Sequence, residues 1–277
     1  MDLASITVSM LSMGSMGALF AAGLAIANKK LYVEEDPRIA LVMDNLPGAN
    51  CGGCGLPGCG SFAENIVHGE IGINGCPVCN DDSREAIATI LGLEAGKGEK
   101  IIARVMCQGG HYESAHKGEY LGIKNCTAAH ISGGGDKLCL HGCLGFGECV
   151  GACPFDAMEM SENGLPLIDE DKCTGCGNCV DACPRNIIEL HPDVDTIFVA
   201  CRNTDTPKDS RTICIKACVG CGLCARGVDE GLVAIENHLA RIDYHLYGQG
   251  DELPTAKCST NALIVLQKAP KEVSLSV

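Results

Sequence analysis

The chain has no tryptophan and only five tyrosines and five phenylalanines in 277 residues. Aromatic side chains supply much of the buried apolar area of ordinary domains, so a large conventional core is excluded and something else must hold the chain together. Cationic side chains are also scarce: 21 Lys and Arg against 35 Asp and Glu give a net charge of −14. That balance argues against nucleic acid, which is bound by neutralising phosphates, and favours a partner with a basic docking face. No positive charge precedes the apolar N-terminal run, where Asp2 stands instead, so a cleaved secretory leader is not expected.

Cysteine is in excess, with 21 residues. A disulfide scaffold of that density is a short secreted chain. Here the cysteines fall in runs that close on Cys-Pro, which favours a reducing compartment. Cys173, Cys176, Cys179 and Cys183 show the C-x2-C-x2-C-x3-C-P spacing that holds four-iron cubanes. Cys139, Cys143, Cys149 and Cys153 form the same run with its first two gaps widened. In this pattern the fourth cysteine of each run ligates the other cluster. The expected sets are therefore Cys139, Cys143, Cys149 and Cys183 for one [4Fe–4S] cluster, and Cys173, Cys176, Cys179 and Cys153 for a second. Between the runs, Asn163-Gly164 predicts a hairpin with a type I′ turn. Structural zinc favours two separated C-x2-C pairs and fits a continuous triplet badly.

Upstream, residues 6–27 are apolar and uncharged, with Lys29-Lys30 directly after; the length suffices for a membrane-spanning helix, and the lysines predict a cytoplasmic body. Asp36-Pro37 predicts a helix start. Cys51, Cys54, Cys59 and Cys76 then give C-x2-C-x4-C-x16-C, a four-thiolate site of a different type. A capping box at Ser61/Glu64 predicts a helix inside it that stops at Gly69, and Ser83 to about Ala95 predicts a second. Gly53, Gly55 and Gly58 match G-x-G-x-x-G by letter, but no strand leads into them, so this is not a dinucleotide site.

Downstream, Cys218, Cys221 and Cys224 repeat the C-x2-C-x2-C triplet, while Val228 occupies the fourth position and a second triplet is missing. Crossed ligation explains the paired loss, since deleting both removes one whole cluster. What remains, Cys218, Cys221, Cys224 and Cys258, is one complete site, with Ser259 where the other runs have proline. Five cysteines are left over: Cys79, Cys107, Cys126, Cys201 and Cys214. Cys107, Cys126, Cys201 and Cys214 can supply one more iron–sulfur centre, or stay buried thiols acting as small hydrophobes. The eight histidines have no ligand spacing to these runs and are expected in ordinary surface or supporting roles.

The expected fold is α+β, a string of small iron–sulfur domains: a transmembrane anchor over 1–30, an N-terminal [4Fe–4S] domain over 31–92, a connecting segment over 93–135, a dicluster ferredoxin-like domain over 136–192, and a degenerate single-cluster ferredoxin-like module over 193–277. At least three and in full four cubanes would hold it.

The uncharged helix, then CGGCGLPGC…CP, then CLHGCLGFGECVGACPFDA with CTGCGNCVDACPRNIIEL, resembles the B subunit of the Rnf-type ion-translocating oxidoreductase complex over nearly the whole chain, more weakly after about Cys201. The resemblance implies a membrane complex that passes electrons between reduced ferredoxin and an acceptor, NAD in most members, while moving Na+ or H+. The partners it implies are the other subunits and a low-potential donor such as ferredoxin. The chain itself shows no nucleotide or flavin pocket and no acid–base pair, so a complete catalytic site is not expected in it. Two rival redox readings remain open on sequence alone: the same subunit type serving an iron–sulfur transcription regulator, and a polyferredoxin serving another redox enzyme. A zinc-bound scaffold is the non-redox rival.

Overall fold

The computed structural model describes residues 3–31, 36–96, 98–247 and 253–266. The expected domains at 1–30, 31–92 and 193–277 include residues 1–2, 32–35, 248–252 and 267–277, which lie outside the described residues. Helix α1 (Leu3–Lys30) meets no charge before Lys29 and Lys30. At 1.5 Å per residue it is about 42 Å long, against a hydrocarbon core of about 30 Å. Its segment Thr7–Lys30 has a mean hydropathy of 1.7 and no buried residue. Leu11, Met13, Leu19, Phe20 and Leu24 all stand exposed, and the helix is long and apolar enough to cross a membrane.

Helices α2 (Pro37–Asn45), α3 (Cys59–His68) and α4 (Asp81–Leu91) enclose a small core of Val42, Phe62, Ala63, Ile66 and Ile87 together with Cys76 and Cys79. Asp36 caps α2 as expected, accepting from the Arg38 amide. The capping box at Ser61/Glu64 does not form. α3 begins three residues earlier, behind Gly58, and the free amide of Cys59 donates to Asn50 Oδ1 at 2.9 Å. A cap from nine residues upstream serves better than a local one, because it also closes the cysteine loop back on the helix. α3 stops at Gly69 in the left-handed region, as expected. α4 starts at Asp81 behind Asn80 rather than at Ser83, and Gly92 ends it short of Ala95.

The rest of the chain is two units of one plan. In the first, strands β1 (Ile101–Val105) and β4 (Ile188–Pro192) pair antiparallel, and β2 (Met158–Met160) pairs with β3 (Pro166–Ile168) as a hairpin between them in sequence. In the second, β5 (Ile197–Val199) pairs with β8 (Leu263–Val265) around the hairpin of β6 (Val233–Glu236) and β7 (Leu239–Ile242). β1 thus belongs with residues 136–192, and the connecting segment expected over 93–135 is divided. Its first part is the opening strand of the first unit, and residues 106–138 are an insertion. That insertion carries Cys107 and helix α5 (Cys126–Ile131), whose first residue is Cys126.

The turn of the first hairpin departs from type I′. Gly164 is left-handed (φ 69) but Asn163 is not, the Gly164 amide donates to the Ser161 carbonyl at 2.9 Å, and the Ser161 amide donates to Leu165 at 2.9 Å. This is a three-residue turn closed by a glycine bulge. Asn163 is instead committed outward: its carbonyl accepts from the His111 amide at 2.8 Å, and its side chain accepts from Tyr112 and donates to Glu113. Contacts to the insertion decide the turn type.

Candidate cluster sites

Short helices deliver the ligands of the central runs. α6 (Glu148–Gly151) and α7 (Asn178–Asp181) pack together, each carrying one cysteine (Cys149, Cys179) and each followed by Cys-Pro. After Cys153, Cys183 and Cys258 the chain makes the same turn, with left-handed Asp156 (φ 49), Asn186 (φ 50) and Asn261 (φ 53) three residues on. The Asn186 and Asn261 amides donate back to the Cys183 and Cys258 carbonyls at 3.1 Å. Asp and Asn tolerate this conformation best after glycine, so CPFD, CPRN and CSTN are one device, and Ser259 stands in for proline without changing it. The triplets share a second device: Gly175 (φ +68) and Gly220 (φ +58) sit where an added Cβ would lie 2.6 Å from the Ile101 carbonyl and 2.7 Å from that of His238. Only glycine lets the first loop lie against β1 and the second against the turn between β6 and β7.

The structure gathers nineteen of the 21 cysteines into five groups. Cys54 and Cys59 pack against the core holding Cys76, on the loop that begins at Cys51. Cys173, Cys176 and Cys153 crowd Cys179, whose thiol is pushed up to about 12 by burial first and then by those neighbours and Cys149. Cys218, Cys221, Cys224 and Cys258 line one hollow; burial and then the other three sulfurs of the set push Cys224 up to about 11. Burial also penalises the Cys258 thiolate, but the amides of Leu263, Thr260 and Ala262 and the Thr260 hydroxyl outweigh it, so its pKa falls below the usual thiol value.

The remaining two groups overturn one expectation. Cys139 does not stand with Cys143, Cys149 and Cys183. The hollow containing those three has Cys126 as its fourth sulfur, and Cys149 feels burial and then Cys126 and Cys183. Cys139 lines a separate hollow with Cys107, Cys201 and Cys214, where Cys107 presses on both Cys139 and Cys214. The reason is the widened spacing. A third residue between Cys139 and Cys143 turns the first sulfur out of the loop, and five between Cys143 and Cys149 leave a gap that Cys126 fills from the insertion. The sequence signal was present: only undistorted C-x2-C-x2-C triplets keep three sulfurs in one site.

Cys79 is buried beside Cys76 in the same core. Its S–H donates to the Cys76 sulfur, which favours the Cys76 thiolate and pushes Cys79 itself up. Two cations, Lys137 buried and Arg185 half-buried, have no signal in the sequence spacing. Lys137 is 1% exposed, donates to the carbonyls of Gly109 at 2.9 Å and Cys143 at 3.1 Å, and has no carboxylate partner among the described residues. Arg185 reaches the carbonyls of Cys139 and Gly134; burial disfavours its charge, and the thiols of Cys139, Cys183, Cys143 and Cys107 favour it. A buried cation without a carboxylate needs other negative charge nearby, and these two lie between two groups of cysteines.

The raised thiols carry the chemistry. Burial lifts Cys143 and Cys201 to about 12, so only a metal that displaces the proton would make them thiolates. Backbone amides already point at the sulfurs: Ala103 at Cys173 (3.5 Å), Ala240 at Cys218 (3.4 Å), Asn203 at Cys201 (3.4 Å), and Gly109 and Cys143 both at Cys107 (3.4 Å). Four soft sulfurs with converging amides fit an iron–sulfur cluster better than hard cations.

Comparison with known proteins agrees. Residues 46–78 match the family model “Putative Fe-S cluster”, and residues 166–189 match “4Fe-4S binding domain”. The chain is 45% identical over 251 residues to the B subunit of the Na(+)-translocating ferredoxin:NAD(+) oxidoreductase complex of Acetobacterium woodii, covering 91% of this chain and 75% of that one. It is 40% identical to the B subunit of the ion-translocating oxidoreductase complex of Methanosarcina acetivorans, over 82% of this chain and 87% of the relative. It is 39% identical to the proton-translocating counterpart of Clostridium ljungdahlii, over 90% and 88%. The chain belongs to the B-subunit family of ion-translocating oxidoreductase complexes. It is thus an α+β iron–sulfur protein of a multi-subunit redox complex, with one helix apolar enough to enter the membrane.

In this family member the five groups follow one another in space. Cys51 of the N-terminal group is close enough to Cys176 to raise its pKa, and Gly53 touches the Cys176 backbone. Cys179 neighbours Cys149. The Cys143 amide donates to Cys107, and the Cys218 amide to Cys201.

Proposed function

We propose that this chain is the electron-relay component of its complex, accepting electrons from reduced ferredoxin or a similar low-potential donor and passing them to membrane subunits. In the complex this flow is coupled to Na+ or H+ movement and to reduction of NAD or another acceptor. The observation that carries the reading is the unbroken succession of cysteine groups. Five [4Fe–4S] clusters are proposed: one on Cys51, Cys54, Cys59 and Cys76; one on Cys153, Cys173, Cys176 and Cys179; one on Cys126, Cys143, Cys149 and Cys183; one on Cys107, Cys139, Cys201 and Cys214; and one on Cys218, Cys221, Cys224 and Cys258. Each cubane, when bound, takes up and releases one electron at a potential tuned by burial and hydrogen bonds to sulfur. The protein supplies those hydrogen bonds from its backbone amides, and Lys137 and Arg185 supply positive charge between two of the sites.

The Cys218 group stands at one end of the series and the Cys51 group, nearest in sequence to α1, at the other. Electrons enter at the far or central groups and leave from the Cys51 group to integral subunits. Lys29 and Lys30 set the body on the cytoplasmic side of the cell membrane. NAD reduction and ion movement need other subunits, because this chain supplies thiolates rather than a hydride site. Replacing Cys51 or Cys59 by Ala in the assembled complex tests the direction: ferredoxin should still reduce the remaining clusters while NAD reduction stops. Survival of both activities would refute the path. Iron and labile sulfide in the purified chain, with zinc absent from the cysteine sites, separate the relay from a zinc scaffold.

A further inference from the structure

We propose that His111, His116 and Asp136 form a surface site for a divalent transition metal, Zn2+ in the first instance, separate from the cysteine groups. Each residue offers one ligand atom, and the three atoms lie within 4.8 Å of one another.

The decisive geometry is at His116. Its Nε2 faces the His111 carbonyl oxygen at 3.2 Å, and its Nδ1 faces Asp136 Oδ2 at 3.3 Å. Both ring nitrogens therefore point at acceptors, whereas a neutral imidazole has one N–H to give. With the proton on Nε2, satisfying the carbonyl, the Nδ1 lone pair faces a carboxylate, and a metal ion between them would satisfy both. A metal fits the spacing. Two tetrahedral zinc ligands at about 2.0–2.1 Å from the metal stand roughly 3.3 Å apart, the separation of His116 Nδ1 and Asp136 Oδ2. A backbone carbonyl holding the other ring N–H is also the usual outer contact of a metal-bound histidine.

The third ligand is held in place. The His111 amide donates to the Asn163 carbonyl, and its ring lies over the hairpin turn, where a Cβ on Gly164 would come within 2.2 Å of Nε2. The His111 and His116 rings stack with centroids 6.0 Å apart. Asp136 is fixed by its carbonyl, which accepts from Lys117 at 2.8 Å, and His116 bridges to Lys137 in the antiparallel sense. Two imidazoles and one carboxylate suit zinc and its neighbours, whereas Na+, Mg2+ and Ca2+ prefer oxygen ligands alone. Exposed His111 and His116 leave a coordination position open to water. A metal here would staple the two ends of the 106–138 insertion to each other, and with them the segments bearing Cys107 and Cys139.

The test uses the full chain, purified anaerobically in detergent with its iron and sulfide quantified, then dialysed against Zn2+. One zinc per chain should bind, and its X-ray absorption should show nitrogen and oxygen neighbours including imidazole. His116→Ala and Asp136→Asn should each weaken binding at least tenfold, with iron and sulfide unchanged. If His116→Ala loses iron, Asp136→Asn carries the comparison. Zinc surrounded by sulfur at about 2.3 Å, zinc retained equally by Asp136→Asn, or no zinc held by the unaltered chain overturns the site.

Discussion

The regrouping of Cys139 and Cys126 can be decided by counting iron in paired variants. Five sites of four irons predict about 20 irons per chain. Losing one cysteine can leave a damaged cluster, but losing two from one site leaves too few thiolates to hold a cubane. Cys107→Ala/Cys139→Ala removes two sulfurs from the hollow they share and should lower the count to about 16, with the other four clusters intact. Cys126→Ala/Cys149→Ala empties the neighbouring hollow and should also give about 16. Cys139→Ala/Cys149→Ala takes one sulfur from each hollow, so it should damage two clusters and alter two sets of paramagnetic signals. The non-additivity reports which residues act as a unit. Anaerobic iron and sulfide assays with electron paramagnetic resonance read all three variants. If Cys139→Ala/Cys149→Ala loses a single cluster cleanly while Cys107→Ala/Cys139→Ala damages two, Cys139 belongs with Cys143, Cys149 and Cys183 and the regrouping is wrong.

Three further outcomes are expected. Gly53→Ala places a Cβ 2.6 Å from the Cys176 carbonyl and should push the N-terminal group away from its neighbour; full iron content with slowed reduction of the N-terminal cluster by ferredoxin is the expected result, and unchanged rates would contradict the contact. Lys137→Met keeps the bulk but removes the buried charge; the two adjacent clusters should become harder to reduce by about 59 mV or more, the one-electron equivalent of a tenfold change, in a potentiometric titration, with Lys137→Arg restoring part of the shift. His191 is buried between β4 and β5, and burial lowers its pKa despite the opposing Asp195 carboxylate. The unfolded chain then binds a proton that the folded one refuses, so this stability is present above about pH 6.5 and lost as pH falls below it. Protection of the Ile197–Val199 amides against hydrogen exchange, relative to their intrinsic rates, should fall over that range, and His191→Phe should flatten the dependence.

The chemistry of the chain was legible from spacing because a cubane imposes it. Three sulfurs two residues apart and a fourth before a turn define a site with no reference to the rest of the fold, so Cys173, Cys176, Cys179 and Cys153 and the set ending at Cys258 could be grouped on paper. The same applies to α1, whose apolar length is a property of the sequence alone. Spacing failed where it was distorted. Cys139 and Cys126 exchange places because residues 106–138 fold back between β1 and the first run, and β1 itself joins β4 across more than eighty residues. No local pattern encodes such a return. Lys137 is a single lysine in sequence and becomes a buried charge between two cysteine hollows only once the strands pair. His111, His116 and Asp136 likewise lack any ligand spacing until a hairpin and a bridge bring them within 4.8 Å. What depends on neighbours along the chain was determined by the sequence; what depends on which segments return to touch was decided by the tertiary structure, because ligands and charges act through space.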